Sequence, residues 1–163
     1  MKKIAVLLAA LMLVCTLASC SMLNPTKTYT VQEMSITLEG LFYQQNDLAE
    51  EMDAVFFSAS EMIMINRLTP DELGLDLEIN TENVANLYAE LMGENTELKE
   101  EDGITSFLTT MEVDGTTLDC FYTVLVSKEA YWLVNMIPLN GLIEEKIPTY
   151  VQWTQSVTFA EAE

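Results

Sequence analysis

The sequence predicts an α+β domain, with antiparallel strands and two main helices. Three observations carry this. Runs of β-branched and aromatic residues alternate with polar ones across 28–38, 54–68 and 104–138, the two-residue period of strands. Apolar residues recur at helical spacing in 80–92 and 140–156. Half of the 163 residues are hydrophobic, which suits one domain with its own core and argues against disorder.

The elements follow in order. In "TYTVQEMSITL", Tyr29 and Val31 share one face, and Met34, Ile36 and Leu38 share the next. The phase shift near Glu33 implies a bulge or two short strands. Gly40 closes the segment, and "FYQQNDLAEEMD" reads as a loop or an outer strand. Residues 54–57 and 62–68 form an expected antiparallel pair around the turn Ser58-Ala59-Ser60-Glu61. Thr69-Pro70-Asp71-Glu72 breaks that run. A helix is expected next, capped by Asn80 or Thr81, with Val84, Leu87, Tyr88, Leu91 and Met92 on one face and Gly93 as its stop. "ITSFLTTMEV", Asp114-Gly115 and "TTLDCFYTVLV" then read as a hairpin with a tight turn. "AYWLVNMIPL" returns as a third strand, apolar on both faces like a central strand covered on both sides. Residues 140–156 read as a helix kinked at Pro148 or restarted there. Val157-Thr158-Phe159 would close the domain as a short strand.

The N-terminus reads differently. Met1-Lys2-Lys3 precedes an apolar run from Ile4 to Val14. That run is too short to span a bilayer, which takes about 20 apolar residues, and it has the layout of a secretory signal. Its end, Leu17-Ala18-Ser19-Cys20, resembles the bacterial lipobox. The resemblance implies cleavage before Cys20 and a diacylglyceryl group on its thiol. Residues 1–19 are then a lipoprotein signal peptide, 20–27 a lipidated N-terminus and short tether, 28–159 a single α+β domain and 160–163 an acidic tail. Two acyl chains on Cys20 give stable anchoring. Cys15 leaves with the signal, so Cys120 remains the one free thiol and the core alone must hold the fold.

Within the domain, "KTYTVQEMSITL" at 27–38, "AYWLVNM" at 130–136 and "IPTYVQWTQSVTF" at 147–159 resemble small bacterial lipoproteins of the PsbP/DcrB-type fold. The resemblance implies an antiparallel β-sheet of about six strands sandwiched by two main helices, and a C-terminal helix leading to a terminal strand. It further implies an accessory, assembly or binding role rather than catalysis. It assigns no functional residue.

Composition narrows the chemistry further. The net charge of −19 repels nucleic acid and anionic lipid surfaces. No histidine is present, which removes the commonest general base and transition-metal ligand and with it any Ser-His-Asp or Cys-His triad. Cys120 has Asp119 beside it, not a cation, and reads as a buried core residue. Glu94, Glu97, Glu100, Glu101 and Asp102 in "GENTELKEEDG" lack the ligand order of a calcium loop and read as a solvated turn. Trp132, Trp153 and the methionines read as core; their alternative is an apolar ligand cleft between helix and sheet. The 26 acids guarantee chance pairs, so no glycosidase-like pair stands out. The expectation is therefore a lipid-anchored, non-catalytic extracytoplasmic domain on the cell membrane, protein-binding or accessory to envelope assembly. It needs no cofactor or metal; a small-molecule binding module is the alternative.

Overall fold

The computed structural model describes residues 25–45, 52–73, 83, 86, 98–113 and 115–160. The signal segment, Cys15, Cys20 and residues 161–163 lie outside the described residues. So does the apolar face expected at Val84 to Met92; Asn83 and Asn86 are helical and exposed, as the polar side of that helix would be.

Among the described residues, ten strands form two sheets. They are β1 (Thr26–Val31), β2 (Met34–Glu39), β3 (Tyr43–Gln44), β4 (Ala54–Phe57), β5 (Glu61–Leu68), β6 (Lys99–Glu101), β7 (Ile104–Val113), β8 (Thr116–Val126), β9 (Tyr131–Pro138) and β10 (Thr158–Phe159). The described helices are a single turn, α1 (Pro70–Leu73), and α2 (Ile143–Gln155). The expectation of about six strands in one sheet is corrected. A small sheet runs β1-β2-β10, and a large one runs β3-β4-β5-β9-β8-β7-β6. Adjacent strands pair antiparallel throughout. β3 and β6, two or three residues each, are too short for alternation to reveal; β10 is the short final strand expected at Val157-Thr158-Phe159.

Turn chemistry sets the register. The phase shift near Glu33 resolves into two strands: Val31 faces Met34 across a two-residue turn, and Gln32 takes φ 51° there. Its side-chain amide Nε2 donates to Asp53 Oδ1 at 2.6 Å. β1 starts at Thr26, inside the stretch expected to be tether. The β7–β8 hairpin has the expected bounds, with Gly115 at φ 77°. "KEEDG", expected as a solvated turn, instead holds β6 and a two-residue turn in which Asp102 and Gly103 both take positive φ, the twist that suits a hairpin. α2 is continuous through Pro148. Glu144, whose carbonyl loses its partner to the proline, is exposed like Pro148 itself, so water can hydrate it.

β9 is the middle strand of the large sheet, and all eight of its residues are buried. Its alternation feeds two cores. Trp132, Val134 and Met136 join Met34, Ile36 and Leu38 of β2, Phe56 of β4 and Tyr150 and Trp153 of α2. The small sheet and α2 therefore cover one face of the large sheet. Tyr131, Leu133 and Ile137 point to the other face, with Phe107, Cys120, Tyr122 and Val124. Burial drives the Cys120 thiol up to about 11, and the Asp119 charge adds to the rise. Thiolate is the reactive form, so iodoacetamide at pH 8 is expected to leave the Cys120 peptide unmodified in the native protein and to alkylate it after unfolding. Rapid native labelling, read by mass spectrometry, would contradict the burial.

The registers also give the large sheet two distinct ends. Phe57 faces both Tyr43 and Met62, and Glu61 faces Pro138. The 58–60 turn, the start of β3, the β9–α2 connection and the β7–β8 tip thus share one end. The chain comes into the domain there too, because Gly40 N donates to the Pro25 carbonyl at 2.9 Å. The opposite end is pinned by Arg67, whose Nε meets Glu33 Oε1 at 3.0 Å and whose backbone N–H donates to Asp53 Oδ2 at 2.6 Å.

Candidate functional site

Two residues decide the geometry at the first of these ends. Glu61 opens β5, and alternation places it with Ile63 and Ile65 on the core-facing side, where it is 7% exposed. The sequence reading placed Glu61 in the turn; the structure puts it in the strand, with its carboxylate buried. Lys146 sits one turn into α2, and its Nζ donates to Glu61 Oε1 at 2.6 Å.

The turn before β5 completes the cluster. Ser58 Oγ donates to Glu61 Oε2 at 2.9 Å, and Ser60 Oγ donates to the same oxygen. Ser58 Oγ also accepts the backbone N–H groups of Ser60 at 3.2 Å and Glu61 at 2.9 Å, so one hydroxyl closes the turn on itself. Asn140 Nδ2 donates to the Ala59 carbonyl at 3.0 Å, and Leu139 N to the Ser60 carbonyl at 2.8 Å. The turn is thereby fastened to the connection between β9 and α2.

Burial alone would raise the Glu61 carboxyl. The hydrogen bonds from Lys146, Ser60 and Ser58, with the Lys146 charge, outweigh it and hold the carboxyl below its ordinary value. Tyr150, buried one turn beyond Lys146, shows the reverse: burial and the Glu61 charge push its phenol well up, and its Oη has no hydrogen-bond partner.

Above this cluster is a groove of about 390 Å³. Its walls are Glu39, Gly40 and Leu41 after β2, residues 58–61, and Lys146, Thr149 and Trp153 of α2. It lies between helix and sheet, as the cleft alternative expected, but hydroxyls and carboxylates line it where apolar side chains were expected. Trp153 forms part of its wall and is only 4% exposed; Trp132 is wholly inside the core.

The groove brings Glu39 and Glu61 into one concavity, and Glu61 is unsuited to the acid role of a hydrolytic pair. A general acid must stay protonated near neutrality, which takes a raised carboxyl; Glu61 is lowered. Both serine hydroxyls donate to a carboxylate that is already ion-paired, rather than to a free base. Lys146 Nζ is committed to the same carboxylate.

The other expected sites separate. Glu100, Glu101 and Asp102 are exposed on β6 and its turn, and Glu94 and Glu97 lie outside the described residues. Among the described residues no three His, Cys, Asp or Glu side chains are grouped to hold a metal, and no helix is long and apolar enough to cross a membrane.

The sequence missed Glu61 and Lys146 as a pair. The signal was present in part: "EMIMIN" alternates, so an acid at 61 falls on the face of Ile63 and Ile65. Its partner, 85 positions away, left no local trace.

No protein-family model and no curated protein matches the sequence. The fold does have neighbours. A Synechocystis protein, PsbP (CyanoP), superposes with a TM-score of 0.53 at 10% identity, over 83% of this chain and 92% of that one. A Bacteroides thetaiotaomicron protein superposes with a TM-score of 0.53 at 9% identity, over 83% of this chain. This chain spans 48% of the Bacteroides protein's length. The fold is PsbP-like, as the sequence resemblance implied; at such identities the likeness concerns the fold alone.

Proposed function

We propose that the protein is a non-catalytic, extracytoplasmic domain, anchored to the cell membrane through acylated Cys20, that binds a protein partner as an accessory to envelope assembly. The observation that carries the non-catalytic reading is the commitment of the groove's amine and both its serine hydroxyls to one carboxylate: Lys146, Ser58 and Ser60 all donate to Glu61. The lipobox-like Leu17-Ala18-Ser19-Cys20 supports the anchor. The PsbP-like fold is compatible with an accessory role without specifying one.

Anchoring and partnership are tested separately. Cys20→Ala is expected to abolish acyl labelling and release the protein from the membrane fraction; unchanged retention would overturn the anchor. Affinity capture of the acylated chain from detergent-solubilised membranes is expected to return the same protein reproducibly. Capture of none across repeats would overturn the partner.

A second reading has one observation in its favour. The groove is large enough for a small polar molecule, and typical ligand sites run from about 300 to 1,000 Å³. A ligand bound there would raise the unfolding temperature by mass action. Thr149→Trp, filling the groove, would remove that shift; a shift surviving it places the ligand elsewhere.

A further inference from the structure

Among the described residues the large apolar side chains left well exposed are Leu41, Tyr43, Val113, Leu139 and Leu142. They come from separate segments, yet all five lie at the same end of the large sheet. Leu41 and Tyr43 lie at the start of β3, Leu139 and Leu142 follow β9, and Val113 ends β7 at the hairpin tip. Leu41 and Leu142 are 76% and 62% exposed. The opposite end carries exposed Asp102, Lys128 and Glu129 instead. Single exposed leucines need no explanation, but their gathering at one end does.

The chain enters the domain at this same end. Pro25 is bonded to Gly40, the neighbour of Leu41. Between Cys20 and Pro25 the backbone can reach at most about 18 Å. β8, with 11 residues, is about 35 Å long at about 3.3 Å per residue. A tether that short cannot carry the far end of the domain round to the bilayer.

We propose that this apolar end rests on the lipid surface, with Leu41, Leu139 and Leu142 in the headgroup boundary and Tyr43 at its aromatic level. The contact rests on the anchoring at Cys20 proposed above. Isolated leucines bind a bilayer weakly, whereas an anchored domain presents them at high effective concentration. The occupant is neutral or zwitterionic lipid. Glu39, Glu144 and Glu145 flank the rim, and the net charge of −19 opposes an anionic surface.

The test places an environment-sensitive fluorophore at Leu142→Cys, or at Lys128→Cys on the far end, in the acylated chain. Each protein is reconstituted in phosphatidylcholine vesicles containing a doxyl-labelled quencher lipid. Buried Cys120 does not compete for the label. The 142 probe is expected to shift to the blue and lose roughly half its emission, as a group seated in the headgroup boundary would, while the 128 probe stays unchanged. Adding Leu41→Ser and Leu139→Ser should reverse the shift at 142. Acyl labelling and vesicle co-flotation are read on the same samples. An acylated, vesicle-bound protein whose 142 probe stays unquenched overturns the seating alone. Absence of acylation and flotation overturns the anchor and the seating with it.

Discussion

Trp132→Ala is expected to cost about 4 kcal/mol of stability, the range for removing a large aromatic from a rigid core, and to lower the unfolding temperature by about 10 °C. Trp132 is fully buried in the middle strand of the large sheet. Its ring lies 6.0 Å from that of Phe159 in β10 and 5.9 Å from the Arg67 guanidinium. It therefore joins the two sheets, and alanine leaves a cavity where they meet. The indole Nε1 has no hydrogen-bond partner, so the loss is one of packing. Trp132→Phe separates the two causes: it keeps most of the volume, drops the orphan donor, and is expected to cost less than about 2 kcal/mol. Urea unfolding of both variants checks this. Equal losses would mean that packing at Trp132 is not the source.

Lys146→Met is expected to cost about 2 kcal/mol at pH 7. Removing one partner of a buried ion pair commonly costs about 3–5 kcal/mol. The lower figure reflects the Lys146 side chain, which is 28% exposed, and the two serines that remain on Glu61. The sign with pH follows from Glu61, whose folded carboxyl lies below the ordinary 4.5. In the parent protein its contribution is present above the unfolded value and is lost as pH falls through the folded one. Without Lys146, its hydrogen bond and charge no longer lower the carboxyl, which therefore rises from its place in the parent. The variant can then relieve its buried charge by taking up a proton, so the gap between parent and variant narrows from pH 7 to pH 4. Glu61→Gln with Lys146→Met removes both charges and should recover most of the loss. A deficit independent of pH, or undiminished in the double variant, would show that Lys146 acts by packing.

Legibility in the sequence followed range. The β7–β8 hairpin was readable because Asp114-Gly115 sits between two alternating runs. β9 was readable because it is apolar on both faces. α2 was readable from its period, with Pro148 misleading only about continuity. β3 was readable only as a loop or outer strand and β6 not at all, because two or three residues carry no period and their strand state comes from the partner. β10 was expected as a short final strand; what no local pattern announces is its partner, since Thr158 and Phe159 meet Ser35 and Met34 of β2. The groove was hidden for the same reason: its walls come from β2, the 58–61 turn and α2, and the charge pair beneath it spans two of these.

Local chemistry in the chain thus determined the α+β class, the main turns, the absence of histidine-based catalysis, and a lipobox-like segment at Cys20. Each depends on residues a few positions apart, or on composition. Tertiary structure decided the rest. It divided the strands into two sheets, turned Glu61 from a turn residue into a buried ion-pair partner, and gathered five exposed apolar side chains at the end where the chain comes in. Those outcomes depend on which surfaces meet once the chain is closed, and contacts between distant residues are chosen by the packing of the whole core rather than by any one segment.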